Sequence, residues 1–317
     1  MPYDAHVRTW TCIDGTWRPG ELDGGPRWYD LSGADRDGLL ELASRYGLHP
    51  LAIEDCLSPY LHTPKIDDFG SYLFIVVLAM KPGTVEPILE ELDVFLGPGF
   101  LITYRDDPAT APEIDGVVRA LEQGLAVRPG TDGLFYEVLD RVVDSFLPRV
   151  SAMSEQLDAL ADLVLEGDRD GGLSQRVLEM RRTAGSVRRT MAPLLGVVLR
   201  FGRGELSLVQ PSNVIYFRDV YDHLLRVDLA LEELRDDAEV ALNTYLSTLN
   251  NKMNEVMKVL AVVGALALPA TVITGIFGTN FDEIPGLHSN YGFAVMVTAM
   301  VAMAASMAYF FHRRGWF

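Results

Sequence analysis

The sequence has few cysteines and few basic residues. Its two cysteines, Cys12 and Cys56, lie far apart and form no CxxC pair, which argues against a disulfide framework or a cysteine-rich zinc site. Lys and Arg number 27 against 44 Asp and Glu, so the formal net charge is −17. Because nucleic-acid binding needs a basic surface, we expect no nucleic-acid partner. An acidic chain suits cations, although solubility alone explains the same charge.

The sequence also lacks the motifs of several common enzyme classes and a recognisable secretory signal peptide. The sequence contains no phosphate-binding loop, no HExxH and no GxSxG, and we therefore expect no enzyme. Residues 1–15 have no apolar stretch of the kind found in a cleaved signal peptide. Any membrane insertion must then depend on segments further along the chain.

Charge is absent from two long runs near the C-terminus. Residues 259–281 and 291–311 are uncharged and mostly apolar. Each matches the roughly 20 residues that a helix needs to cross a bilayer. Pro269 lies inside the first run, which membrane helices tolerate. Two transmembrane helices are therefore predicted, and a buried soluble hairpin is the minor alternative.

Flanking charges predict the orientation of these helices. Lys252 and Lys258 precede the first run, Arg313 and Arg314 follow the second, and residues 282–290 between them contain no Lys or Arg. The positive-inside rule then places both flanks in the cytoplasm. We expect a multi-pass protein of the plasma or inner membrane with both termini cytoplasmic, and free cysteines agree with a reducing compartment.

The remainder of the chain predicts an α/β domain followed by helices. Strands are expected around the turn at Asp14 and Gly15, in the apolar run 71–80, and on both sides of Gly97-Pro98-Gly99. A helix is expected over 34–47, with Gly47 as its stop signal. The predicted segments are a cytoplasmic α/β domain (1–130), a helical hairpin (131–210), a cytoplasmic stalk helix (211–258), the first membrane helix (259–281), an external loop (282–290), the second membrane helix (291–311) and a tail (312–317).

The predicted hairpin is acidic at the far end of its first half and basic in its second half, so ion pairs are expected across it. The residues concerned are Glu155, Asp158, Asp162 and Glu166, and Arg176, Arg181, Arg182, Arg188 and Arg189.

The stalk helix is predicted to be very long. No turn signal interrupts the pattern from Tyr216 to Asn280 except Pro269. A helix over that span would be roughly 97 Å long at ~1.5 Å per residue. A lone helix of this length needs packing partners, so side-by-side oligomerisation is expected.

One face of this helix is small or polar as it crosses the membrane. Its members recur at steps of three and four residues: Asn254, Met257, Ala261, Gly264, Leu268, Thr271, Gly275 and Gly278. Small residues favour close helix packing, and they equally suit the lining of a pore. Both explanations stay open on the pattern alone. Hydroxyl and amide oxygens could bind a cation that keeps its water, as Mg²⁺ prefers to do.

Several segments resemble CorA-type magnesium transporters. They are YFRDVYDH (216–223), YLSTLNNKMNEVMKVL (245–260), TGIFGTNF (274–281), HPLAIEDCLSPYLHTPKIDDFGSYLFIVV (49–77) and the tail HRRGWF (312–317). The resemblance covers essentially the whole chain. It implies a funnel-shaped homopentamer with an α/β cytoplasmic domain, a long stalk, a pore-lining first membrane helix and a second helix around it. Self and membrane lipid are then the expected partners.

The resemblance also implies roles for individual residues. Gly278 and Asn280 would lie at the outer mouth of the pore, where Asn280 would bind the hydrated ion. Further along, Met257 and Leu260 would form a hydrophobic constriction. The remaining pore lining would come from Asn254, Gly264, Leu268 and Thr271, and Ala261 and Gly275 are added to it because they share the same helix face. Mg²⁺ would be both the transported ion and a regulator, bound between cytoplasmic domains, that keeps the channel closed.

The sequence departs from the family pattern in two places. The signature Gly-Met-Asn is here Gly278-Thr279-Asn280, and a zinc-transporting branch of the family also varies this middle position. Asp219 matches the stalk carboxylate of the family's intersubunit metal site, and Asp222 and His223 share its helix face. On the neighbouring domain the expected partner position is Thr84, which is no acid, although Glu86 is close.

Three functional hypotheses follow. The first is influx of hydrated Mg²⁺, with Co²⁺ and Ni²⁺ as further candidate ions, driven by the membrane potential. The second keeps the fold and transports Zn²⁺, with or without proton coupling, on the evidence of Thr279. The third is a membrane-anchored sensor or scaffold that conducts no ion and uses the small-residue stripe for packing.

Overall fold

The chain forms two compact units, Met1–Leu242 and Asn243–Phe317. The computed structural model describes residues 7–33, 35–81, 87–166, 172–281, 284–286 and 288–316. The strands are β1 (Val7–Ile13), β2 (Thr16–Pro19), β3 (Arg27–Ser32), β4 (Lys65–Asp68), β5 (Leu73–Met80), β6 (Leu89–Gly97) and β7 (Phe100–Arg105). The helices are α1 (Arg36–Tyr46), α2 (Pro50–Cys56), α3 (Glu113–Glu122), α4 (Thr131–Asp144), α5 (Phe146–Glu166), α6 (Leu173–Gly202), α7 (Val214–Phe277) and α8 (Gly292–Arg313).

A seven-stranded mixed sheet organises the first unit. Its strand order is β2-β1-β3-β7-β6-β5-β4, and β3 with β7 is the parallel pair. The hairpin turn between β1 and β2 has Asp14 at φ 49° and Gly15 at φ 78°, the left-handed values that a tight hairpin requires. A two-residue loop joins β6 to β7, with Gly97 opposite Phe100. These strands confirm the predicted α/β class, and β5 is an internal strand buried along its whole length.

Helices cover both faces of this sheet. On one face, α1 and α2 enclose a core that includes Leu39, Ile53 and Phe95. On the other, α3, α4, α6 and the first turns of α7 share a larger core, which includes Phe135 and Phe217. Helix α1 starts with the Asp35 side chain accepting the Gly38 amide, and it ends at Gly47 in the left-handed region. The predicted helix and its stop signal are therefore confirmed.

The ion pairs of α6 differ from the prediction. Arg188 donates to Asp228 at 2.9 Å and lies 3.2 Å from Glu232, and Arg181 lies 3.1 Å from Glu239. All three acids belong to α7, so the predicted pairing with α5 is wrong for these two arginines. The reason is that α7 also packs on this hairpin, with Leu234 and Ala238 buried against α5 and α6.

Helix α7 confirms the predicted long stalk and ends slightly earlier than expected. It runs from Val214 to Phe277, so the motif 278–280 lies just beyond it. The Gly278 amide still donates to the Thr274 carbonyl at 2.9 Å, and the chain then leaves the helix. The predicted boundary at 258/259 falls inside α7. That boundary and the other predicted segment limits stay predictions.

Helices α7 and α8 are both long and apolar enough to cross a membrane. None of the residues of α8 is buried in the single chain. Exposing so much apolar surface to water is unfavourable. We therefore expect lipid or further protein chains to cover these helices. The acids Asp282 and Glu283 of the predicted external loop lie outside the described residues.

Candidate ion pathway and metal sites

The stripe predicted to line a pore is exposed along its whole length. Met257 is 59% exposed, Leu260 71% and Leu268 68%. The other members are exposed as well: Asn254, Ala261, Gly264, Thr271 and Gly275. On the opposite side Val262 is buried at 6% exposed, whereas Val259 and Val263 are each 57% exposed. The membrane part of α7 is therefore largely uncovered on both sides, and the small and polar stripe is one of its exposed faces.

Hydroxyl groups on this part of α7 are arranged as acceptors. Thr271 donates its hydroxyl hydrogen to the Ala267 carbonyl at 2.9 Å, and Thr279 donates to Ile276 at 2.7 Å. Each oxygen keeps lone pairs that can accept another hydrogen bond. The water molecules around a hydrated cation point their hydrogens outward. Hydroxyl oxygens on this face could accept hydrogen bonds from them.

The motif Gly278-Thr279-Asn280 follows directly on the end of α7, and all three residues are exposed. The Thr279 amide donates to the Ile276 carbonyl at 3.2 Å, which folds the chain back over the last turn. The backbone of the motif is thus attached to the helix end, and the Asn280 amide is free to contact a ligand.

The predicted regulatory residues lie near the start of α7. Asp219 has a side chain that is 62% exposed, with one oxygen 3.7 Å from His223 Nε2. Asp222 is also exposed. Glu86 and Thr84, on the predicted partner loop, lie outside the described residues.

The structure adds two acids that the sequence reasoning missed. Asp140 and Asp144 of α4 lie beside His223, whose Nδ1 is 2.6 Å from Asp144 Oδ1. Ligand atoms of Asp140, Asp144 and His223 all lie within 4.8 Å of one another, the one such group of acids, histidines and cysteines in the described residues. Asp140 and Asp144 are four residues apart and so share a helix face, which was the available signal.

Burial and nearby negative charge shift the pKa values of the acids at this group. Burial, and after it the charge of Asp144, raises the pKa of Asp140 to about 6. Burial also raises the pKa of the nearby Glu137. A bound cation would relieve this repulsion, so the cluster suits a divalent metal.

The chain matches a family model along most of its length. The model for CorA-like Mg²⁺ transporter proteins covers residues 23–313. The chain belongs to the CorA family. The cobalt/magnesium transport protein CorA of Thermotoga maritima is 30% identical over 92% of this chain and 83% of its own length.

Solved structures show the same fold. The CorA magnesium transporter of Methanocaldococcus jannaschii superposes with a TM-score of 0.87 at 20% identity, over the whole of both chains. Full-length CmaX superposes with a TM-score of 0.78 at 21% identity over 99% of both chains. The protein therefore has the CorA architecture of an α/β domain, a long helix and two C-terminal apolar helices, and it is a divalent-cation transporter by family.

Proposed function

We propose that the chain forms a homopentameric channel for influx of hydrated Mg²⁺, with Co²⁺ and Ni²⁺ as further ions. The observation that supports this most is the uncovered stripe of α7, which ends at Gly278-Thr279-Asn280. Five copies arranged around an axis would bring these stripes together and cover them. The names of relatives agree, since the Thermotoga maritima protein is a cobalt/magnesium transport protein. No residue is assigned a catalytic role.

Asn280 is proposed to bind the ion at the outer mouth of the pore. Its amide oxygen would accept hydrogen bonds from the hydration shell, with Gly278 allowing close approach and Thr279 supplying a further acceptor. Mg²⁺ gives up water reluctantly, so recognition through its water costs less than stripping it. Deeper along the stripe, Met257 and Leu260 would form an apolar constriction.

Regulation is proposed to depend on cytoplasmic metal binding near Asp219. Asp222 and Glu86 are the other proposed ligands, with Glu86 supplied by a neighbouring copy. The group of Asp140, Asp144 and His223 lies next to Asp219 through His223. Its crowded negative charge supports metal binding at this end of α7, which would link the internal Mg²⁺ concentration to gating.

The proposed orientation places both termini in the cytoplasm and the 282–290 segment outside the cell membrane. The potential then drives cations inward, with about 2.3 kcal/mol per charge per 100 mV, or about twice that for a divalent ion.

A flux measurement tests the proposal. Purified protein in liposomes containing a Mg²⁺ dye should admit Mg²⁺ when the interior is negative. We expect Asn280→Ala to reduce this flux by at least about tenfold, while Asn290→Ala, the same substitution at the far end of the predicted external loop, leaves it near the wild-type rate. A folded wild-type protein without flux would instead support the sensor or scaffold hypothesis.

A second candidate function keeps the fold and changes the ion. This candidate is Zn²⁺ transport, with or without proton coupling. It is motivated by Thr279, which replaces the methionine of the family signature. Radioactive zinc uptake in the same liposomes decides between the two ions. Zinc uptake that is slower than Mg²⁺ uptake and indifferent to a pH gradient would exclude this alternative.

A further inference from the structure

Positive charge is concentrated at one end of the unit Asn243–Phe317, in a chain that is acidic as a whole. Lys258 lies in α7 just before the first uncharged run, and Arg313 and Arg314 follow the second. Glu255 is the one acid in the sequence of this unit outside the predicted external loop, whereas the whole chain has 44 acidic against 27 basic residues. Charge complementarity therefore favours an anionic partner at this end.

The C-terminal end of α8 is capped, and the cap fixes the position of the tail. Gly315 has φ +68°, the left-handed value that ends a helix, and its amide donates to the His312 carbonyl at 3.0 Å. The Trp316 amide donates to the Phe311 carbonyl at 3.0 Å, and the centroids of these two rings lie 5.2 Å apart. These are the hydrogen bonds and the apolar contact of a Schellman cap. Trp316 is therefore packed against α8.

Lys258 connects this cap to α7. Its Nζ donates to the Gly315 carbonyl at 3.3 Å, although the two residues are 57 positions apart. An ammonium group has three hydrogens, so Lys258 keeps donors for a further ligand. Within the described residues, no ion pair joins Lys258, Arg313 or Arg314 to a carboxylate. The dipole of α8 favours the two arginines at its C-terminal end, but it does not explain Lys258 inside α7.

Aromatic and apolar side chains adjoin these cations. Arg314 lies over the Phe310 ring, with its Cζ 5.3 Å from the ring centroid. Phe310 is 54% exposed, Tyr309 67%, and Val259, the residue after Lys258, 57%. Exposed rings beside cations at the end of a membrane helix are typical of the layer where lipid headgroups meet acyl chains. A ligand at this end would therefore contact both positive charge and apolar surface.

We propose that Lys258, Arg313 and Arg314 bind the phosphate of an anionic phospholipid from the cytoplasmic leaflet. Guanidinium groups bind phosphate oxygens in pairs, and the ammonium group adds a compact point charge. The acyl chains would cover the exposed apolar surface that begins at Val259 and Phe310. Basic sites between membrane helices on the cytoplasmic side favour such lipids. The site rests on the membrane insertion and orientation given under the proposed function, and it does not depend on ion conduction.

Trp316 provides a local reporter of the bound lipid. It is 37% exposed, whereas the other tryptophans, Trp10, Trp17 and Trp28, are 4%, 4% and 0% exposed. In full-length protein reconstituted in liposomes, lipids with brominated acyl chains quench nearby tryptophan fluorescence, and Trp316→Phe identifies the contribution of Trp316. We expect a preference for brominated phosphatidylglycerol over brominated phosphatidylcholine of at least about tenfold. Equal quenching by the two lipids, or quenching by neither, overturns the proposal.

Charge variants test whether the cations cause this preference. Lys258→Gln and Arg314→Gln should each lower the preference for phosphatidylglycerol about fivefold, and Lys258→Arg, which keeps the charge, should retain it. Arg203→Gln removes the same charge from an exposed position of the other unit and should have no effect. A preference that survives the double substitution of Lys258 and Arg314 by Gln, in protein with the wild-type unfolding temperature, contradicts the site.

A soluble competitor distinguishes a lipid from a free anion. Excess glycerol phosphate, which has the charge of the headgroup and no acyl chains, should leave the quenching of Trp316 unchanged. Displacement of the brominated lipid by glycerol phosphate would show a site for soluble anions and overturn the lipid assignment. Ion flux enters none of these measurements. Normal Mg²⁺ flux without a lipid preference would therefore contradict this site alone, and a lipid preference without flux would contradict the proposed channel alone.

Discussion

Thr279 places a hydroxyl where the family signature has a thioether. Its hydrogen is donated to the Ile276 carbonyl, so its oxygen can accept from a hydrated ion. We expect Thr279→Met to weaken apparent Mg²⁺ binding about fivefold, the equivalent of one hydrogen bond of about 1 kcal/mol. Ion-competition flux in liposomes measures this. Thr279→Ser keeps the hydroxyl and should retain the wild-type value, and an equal loss in both variants would contradict the role of the hydroxyl.

Asp140 predicts a pH dependence of stability in protein without divalent ions. Its raised pKa of about 6 means that the folded state binds the proton more tightly than the unfolded state does. The stability that this group contributes is therefore complete below about pH 4 and is lost as the pH rises through about 6.

Thermal unfolding in a chelating buffer between pH 4.5 and 7.5 measures this effect. We expect the unfolding temperature of Asp140→Asn, relative to wild type, to increase with pH across this range. Mg²⁺ should reduce the difference at pH 7.5, because a cation offsets the repulsion from Asp144, Glu137 and Asp219. Asp162→Asn, the same substitution at an exposed position, is the control. If the difference in unfolding temperature between Asp140→Asn and wild type is the same at every pH, the raised pKa of Asp140 is refuted.

At the scale of elements, ion pairs attach α6 to α7 beside their apolar contact. Arg188 contacts both Asp228 and Glu232, and its hydrogen bond to Asp228 raises the pKa of the guanidinium. We expect Arg188→Met to lower the free energy of unfolding by about 1 kcal/mol, because partly exposed pairs contribute at that level. Thermal unfolding at low and high salt measures this.

Arg189→Met, at an exposed neighbouring position, provides the comparison for this pair. Its effect should be smaller and less sensitive to salt. In a double-mutant cycle, Arg188→Met and Asp228→Asn should be non-additive. Additive losses would mean that the two side chains stabilise the protein independently.

Local sequence patterns predicted most of the helices and strands. They did not predict which distant strands and helices contact one another. The two hairpins at Asp14-Gly15 and at Gly97-Pro98-Gly99 follow from turn chemistry, and Gly47 ends α1 as expected. The parallel pairing of β3 with β7 has no local signal. The partner of Arg188 was mispredicted for a related reason, since acids on α5 and α7 occur at equally suitable spacing and packing decides between them.

At the scale of the whole molecule, the uncovered stripe of α7 predicts assembly. We expect native mass spectrometry to find five times the 35.1 kDa chain mass. In a background without Cys12 and Cys56, Thr271→Cys should form disulfide-linked dimers under mild oxidation, because pore-facing positions approach one another around an axis. Val262→Cys, at a buried position off the stripe, should not. Equal cross-linking of both variants, or a monomer mass, would contradict the pore arrangement.

Sequence alone brings together the residues of the proposed ion pathway better than those of the proposed cytoplasmic metal site. The stripe and the 278–280 motif lie along one helix, so helical periodicity is enough to assemble them. Asp140 and Asp144 approach His223 from another helix. That arrangement depends on tertiary structure, which composition and spacing do not specify.

The end of α7 at Phe277 also has an electrical consequence. Aligned peptide dipoles leave about half a negative charge at the C-terminal end of a helix. In the proposed pentamer, five such ends would surround one opening, beside a 282–290 segment that has no Lys or Arg. This field would gather cations from within about 10 Å at 0.1 M salt without binding any of them tightly. Capture would therefore slow with rising ionic strength when ions are scarce, while the saturated transport rate would stay unchanged.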